Sequence, residues 1–97
     1  MSIYDEKPWL ANYAAGQPSE ITCEFDDALA MFRATVARSP DADAIRYFDG
    51  RISFRELDEL TDALAVGLLD AGIAAGDRVA LYLQNVPQFV IALVGTW

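Results

Sequence analysis

The sequence contains no histidine and a single cysteine, Cys23. A lone thiol forms no internal disulfide. Without imidazole the chain holds neither a His/Cys zinc site nor a Cys/His or Ser/His catalytic pair. Cys23 stands between polar residues with no base beside it, so it reads as a structural or incidental thiol. Positive charge is scarce too: seven Lys and Arg against 15 Asp and Glu, for a net charge of −8. That balance disfavours nucleic acid, which needs a basic footprint, and unassisted binding to an anionic bilayer. Long hydrophobic runs are also missing. The longest strongly apolar stretch, Phe89–Gly95, is far too short to span a membrane. The first residues, MSIYDEKPWL, show neither the basic region nor the apolar region of a secretory signal. The default expectation is a cytoplasmic protein that binds no nucleic acid.

What is present is globular in character. Hydrophobic residues make up 54% of the 97 and charged residues 23%. This length allows at most one domain with a modest core. The acidic residues are spread along the chain, as on solvated helix faces and loops.

Residues 1–25 lack periodicity. Pro8, Gly16 and Pro18 interrupt them, and Trp9, Leu10, Tyr13, Ile21 and Phe25 are irregularly spaced. The reading is an irregular segment that wraps a surface and inserts aromatic anchors. Asp26 or Asp27 then caps a helix carrying Leu29, Phe32 and Val36, with Arg33 and Arg38 in its later turns. Ser39-Pro40-Asp41 ends it. Ala44–Phe48 reads as a strand, Asp49-Gly50 as a type I′ hairpin turn, and Arg51-Ile52 as a short return strand.

The most ordered signal follows. Ser53-Phe-Arg-Glu56 fits a capping box. Leu57, Leu60, Leu64, Leu68 and Ala71 make an apolar helical stripe, and Gly72 sits where a helix-ending glycine belongs. Ile73–Asp77 is a loop. Val79–Leu83 reads as a central strand, apolar on both faces apart from Tyr82. Asn85-Val86-Pro87 turns the chain into a last helix from Gln88 onward. Phe89, Val90, Ile91, Leu93 and Val94 run on to Trp97 with no capping signal, so the chain is expected to be a truncated piece of a longer one.

Several patterns suggest chemistry and have plainer physical causes. Gly72 and Gly76 lie four apart without the Lys-Ser/Thr of a phosphate loop, so they read as a helix stop and a loop corner. Glu24, Asp26 and Asp27 cluster as helix-start acids do, not as a cation site. Asp58, Glu59 and Asp62 form the polar side of an amphipathic helix rather than a catalytic dyad. No Asp-Ser-Leu occurs, so an acyl-carrier protein lacks its attachment serine. Too few cations interleave with Trp9, Tyr47, Phe48, Tyr82 and Trp97 for a base-stacking platform.

Residue by residue, the chain resembles the N-terminus of the adenylate-forming superfamily, which comprises acyl-CoA synthetases, peptide-synthetase adenylation domains and luciferases. Ile52-Ser53-Phe54-Arg55-Glu56-Leu57 is similar to its first core motif: a hydrophobic residue, Thr or Ser, an aromatic, any residue, Glu, Leu. Gly76-Asp77-Arg78-Val79-Ala80-Leu81 is similar to its GDRVA lead-in to the first central strand. Val94-Gly95-Thr96-Trp97 stands where the second core motif is about to begin, without the Lys-Ala-Gly usual there. Lys7-Pro8-Trp9-Leu10, Tyr13, Pro18-Ser19-Glu20-Ile21, Met31-Phe32 and Val36-Ala37-Arg38 look like bacterial long-chain fatty-acid–CoA ligases. The resemblance covers essentially the whole chain.

The resemblance implies an α/β fold. Residues 1–97 would be the incomplete N-terminal portion of the AMP-binding domain, supplying a β-hairpin, packed helices and the first central strand. It implies a parent enzyme that uses ATP, Mg²⁺ and CoA: a fatty acid becomes acyl-AMP and then acyl-CoA. The groups that hold those molecules lie downstream in the family. No catalytic, cofactor-binding or metal residue is therefore assigned here, and the 97 residues alone are expected to have no ligase activity and to bind no cofactor. The expected partners are the remainder of the parent, its fatty-acid substrate, and a second copy through the apolar last helix and exposed strand edges. Peripheral membrane attachment of the parent stays open. So do a fatty-acyl-AMP ligase or peptide-synthetase parent, and an autonomous small interaction module.

Overall fold

The computed structural model describes residues 1–97, and local signals at the helix ends account for most of its order. Helix α1, Ile3–Glu6, is a single turn closed by Ser2 and Asp5 in a capping box. A 3-10 turn, Pro8–Asn12, follows directly, with Pro8 at its first position and Lys7 in the left-handed region at φ 47°. The segment expected to be irregular thus holds two short helical turns. Turns of four or five residues bury too little to show a periodicity, so the apolar pattern misses them. Lys7 donates to the Glu20 carboxylate and ties these turns to the following loop.

Asp27 caps α2, Ala28–Arg38, where its carboxylate accepts the Ala30 amide at 2.7 Å. Strand β1, Asp43–Tyr47, pairs antiparallel with β2, Gly50–Ser53. Ile45 stands opposite Ile52 and Tyr47 opposite Gly50, and the register shifts between Asp43 and Ile45 as at a β-bulge. The loop is therefore Phe48-Asp49, one residue earlier than the expected Asp49-Gly50. Its positive φ of 51° falls on Phe48, and neither Asp49 nor Gly50 has one. The Ile45–Ile52 pairing sets the register, so the turn takes the two residues left over.

Helix α3, Phe54–Asp70, is closed at both ends. Ser53 Oγ accepts the Glu56 amide at 3.1 Å, and Glu56 Oε2 accepts the Ser53 amide at 2.8 Å. At the other end Gly72 adopts φ +96°. Its amide donates to the Leu69 carbonyl, and the Ile73 amide donates to that of Leu68, both at 3.0 Å. This pair of bonds is the Schellman arrangement that the glycine announces. Helix α4, Pro87–Thr96, starts with proline at a position where no amide is needed.

The core lies where α3 crosses α4, the most extensive contact between elements. Only Leu57, Thr61 and Val94 are buried, at 3%, 4% and 7% exposure. The helical stripe is realised in part: Leu57 is buried and Leu64 and Leu68 half-buried, but Leu60 is exposed. Thr61 takes the place beside Leu57 and donates its hydroxyl to the Asp58 carbonyl at 2.8 Å.

Val79–Leu83 differs from its expectation. It joins no sheet, and the two-stranded β1–β2 ladder is the only one. A central strand needs neighbours on both sides, and no other segment of these 97 residues offers them. The consequence shows in the dimensions. The radius of gyration is 18.4 Å, whereas a compact domain of this length has about 12.5 Å. The accessible surface is 7951 Å² for 10.6 kDa, roughly 2,500 Å² more than a folded monomer of that mass exposes.

Candidate functional site

The concave region best defined by these elements is a groove of about 460 Å³. Its walls are Leu29 and Phe32 of α2, Ala65 and Leu68 of α3, Ile73 and Val79 of the following segment, and Val94 and Trp97 at the end of α4. The loop Ala74–Asp77 makes one rim. There the Asp77 carboxylate accepts the Ala74 amide at 2.8 Å, and the Asp77 amide donates to the Ala74 carbonyl at 3.0 Å. Gly76, at φ +91°, permits that tight reversal. The Ala74 and Asp77 amides are thus committed to the turn.

The charge along the groove has one dominant sign. Asp58, Asp62 and Asp77 stand on its rim against Arg33 alone. Such a rim repels a polyphosphate and leaves the apolar floor as the part able to take a partner. The residues that the sequence brings forward do not converge here. Ser53 and Glu56 satisfy each other as the α3 cap. Asp27 caps α2, and Cys23 is exposed. No group of three or more His, Cys, Asp or Glu side chains gathers closely enough to hold a metal ion. No helix is long and apolar enough to cross a membrane.

Two ion pairs shift their partners' protonation. The Lys7 ammonium, hydrogen-bonded to Glu20 and attracting its charge, holds that carboxyl below its ordinary range. Asp41, hydrogen-bonded to Arg55 at 2.9 Å and attracting it, raises the guanidinium further. Both pairs are exposed and fix chain segments to each other: the N-terminal turns to their loop, and the start of α3 to the residues before β1.

Among the glycines, Gly95 alone is packed tightly against another helix. A β-carbon placed on Gly95 would lie 3.1 Å from the Thr61 carbonyl oxygen and 3.1 Å from Leu64 Cδ2. Gly95 therefore lets α4 lie directly on α3. Its one signal in the sequence is a small residue in an otherwise bulky apolar helix.

A capped α3, an apolar groove rimmed with acids and an unpaired β-forming segment describe part of an α/β fold with apolar surface left unpartnered. The comparisons narrow that description. The family model of AMP-binding enzymes matches residues 32–97. The chain belongs to the AMP-binding enzyme family. It is 38% identical over 95 residues to a long-chain-fatty-acid–CoA ligase of Bacillus subtilis, covering 96% of this chain and 17% of the relative. A ligase of the same name from Yersinia pestis is 37% identical over 92 residues, 93% of this chain and 16% of its own length. An adenylate-forming reductase of Coprinopsis cinerea is 31% identical over 80 residues, 82% of this chain and 8% of its own length. The chain thus spans about a sixth of the length of the ligases it matches. No solved structure gives a significant match.

Proposed function

We propose that residues 1–97 form the N-terminal scaffold of an enzyme that activates a long-chain fatty acid with ATP, first as acyl-AMP and then as acyl-CoA. One observation carries the reading. Similarity to long-chain-fatty-acid–CoA ligases runs over 96% of this chain, through the α3 cap and the Gly76–Leu83 segment alike. In this reading residues 1–25 wrap the surface of the large domain, and the rest contributes a hairpin, α2, α3, α4 and a strand to it. The remainder of the enzyme is the main partner, and any contact with a membrane is peripheral to a cytoplasmic protein.

The residues present do not fit a triphosphate or its metal ion. The groove sets three aspartates against one arginine, and the Ala74 and Asp77 amides beside it are bonded within the turn. No step of the reaction is assigned to them, and Mg²⁺, ATP and CoA belong to parts of the enzyme beyond these residues. In isolation, the apolar α4 and the unpaired Val79–Leu83 segment favour self-association.

A second reading has an observation of its own. The match to an adenylate-forming reductase supports a parent that forms an adenylate without being a CoA ligase. The test is fatty-acid-dependent release of AMP from ATP. It is measured on the 97-residue chain and on the longest protein encoded by the frame containing it, with and without CoA. Turnover is expected from the longer protein alone and only with acyl-CoA as product. AMP release by the 97 residues would refute the scaffold reading, and acyl-AMP without acyl-CoA would favour the second one.

A further inference from the structure

The backbone from Arg78 to Leu83 is the longest β-forming stretch without partners: none of its amides donates to another backbone group. Val79 and Leu81 are half-buried against the body of the protein, whereas Ala80 is exposed and Tyr82 fully so, at 102%. From Val79 to Tyr82 that alternation is the period of a strand with one face seated, and Leu83, next on the same face, is exposed. An unpaired edge of this kind is a template for a second strand.

We propose that the 97-residue chain pairs with a second copy of itself through this segment, antiparallel about a twofold axis at Leu81. Val79 then stands opposite Leu83 of the second copy, and Ala80 opposite Tyr82. The inference rests on the scaffold reading, in which this segment is a strand awaiting a sheet.

Three observations favour this occupant and exclude a one-residue slip of the register. Twofold pairing centred on a residue keeps the half-buried positions of both copies on one face, whereas a one-residue slip would set Val79 against Tyr82 and mix the faces. Charge permits it despite the net −8. Arg78 is the only charged residue from 78 to 97, and in this register it faces Gln84 while Asp77 faces Asn85. Area permits it as well. The surplus surface of roughly 2,500 Å² exceeds the ~800 Å² that each partner buries in a standard interface.

The test is sedimentation of the 97-residue chain over a wide dilution series, with Tyr82→Pro as the paired variant. The Tyr82 side chain is fully exposed and its amide makes no backbone bond, so proline removes only the donor that pairing needs. The expected result is a species of twice 10.6 kDa that is lost in Tyr82→Pro while helical circular dichroism is unchanged. In a Cys23→Ser background, Ala80→Cys with Tyr82→Cys should oxidise to a disulfide-linked dimer, whereas Ala80→Cys alone should not. A monomer at every concentration overturns the proposal and leaves the strand to the rest of a longer protein. So does open-ended assembly, or a dimer indifferent to Tyr82→Pro. None of these outcomes bears on the AMP-release assay, which tests the scaffold reading separately.

Discussion

Replacing Gly95 by alanine sets two effects of similar size against each other, and the structure decides the sign. Alanine is preferred over glycine in a helix interior by about 1 kcal/mol. Gly95 lies in the last turn of α4, where that preference is weaker. Against it stands a β-carbon 3.1 Å from the Thr61 carbonyl oxygen and 3.3 Å from Leu64 Cβ. Neither atom is the free end of a flexible side chain, since both are held by the backbone of α3. Relief requires α4 to move away from α3, loosening the contact that buries Leu57 and Val94. Overpacking of this kind costs about 1–3 kcal/mol. The expected net effect is destabilisation by roughly 0.5–2 kcal/mol, the difference between those two figures.

Gly67 supplies the control. It lies inside α3, where an added β-carbon would meet nothing within 4 Å. Gly67→Ala should therefore stabilise by about 0.5–1 kcal/mol. The assay is urea unfolding followed by helical circular dichroism, at concentrations low enough to keep the chain monomeric. The two variants should shift the midpoint in opposite directions with an unchanged slope. If Gly95→Ala stabilised the chain as Gly67→Ala does, the close approach of α4 to the Thr61 carbonyl would be refuted, and the Leu57–Val94 core with it.

The α3 cap gives a second test: Ser53→Ala removes the acceptor for the Glu56 amide and should cost about 0.5–2 kcal/mol, with Ser53→Thr close to neutral. An unchanged urea midpoint in Ser53→Ala would separate this Ser/Glu motif from helix capping. The Lys7–Glu20 pair predicts a pH effect confined to the N-terminal segment. Its carboxyl titrates below the ordinary value when folded, so the stabilisation is present above that value and is lost as the pH falls through the lowered one. Amide chemical shifts of residues 7–20 should therefore change in that acidic window while α3 and α4 keep their helicity. In Lys7→Gln the Glu20 titration should move back up to the ordinary glutamate range. An unmoved titration in that variant would show that the pair does not form in solution.

How much the sequence discloses depends on the range of the interaction. Both ends of α3 are legible because each is settled within six residues: Ser53 with Glu56 at one end, Gly72 with Leu68 and Leu69 at the other. The hairpin is legible as a hairpin, but its turn is displaced by one residue. The Asp-Gly preference is local, whereas the Ile45–Ile52 pairing that overrides it joins two strands. The first helical turns carry a readable sign, Ser2 three residues before Asp5, in a segment whose prolines and scattered aromatics argue for irregularity. The Thr61–Gly95 crossing is not legible. Thr61 lies in a polar stretch of α3, and its burial follows from where α4 lands, which no local pattern specifies. In the groove, the spacing of Gly72 and Gly76 is legible as punctuation, because both positions have positive φ and serve a helix end and a turn.

The strong devices in this chain are all structural: two capping boxes, a Schellman end, and a glycine that lets two helices touch. No buried side-chain nitrogen or oxygen is without a partner. What remains unsatisfied is apolar surface and one strand's backbone. The surplus area of roughly 2,500 Å², if about 60% apolar, corresponds to an upper bound of roughly 35–40 kcal/mol of unrealised hydrophobic burial. Ordinary domains are stable by only about 5–15 kcal/mol. Covering that surface would therefore weigh more than the stability of an ordinary domain. On the scaffold reading proposed above, such a chain would serve an AMP-forming reaction by fixing where its helices meet the rest of an enzyme, and changes at Gly95 or Ser53 would reach the reaction only through that docking.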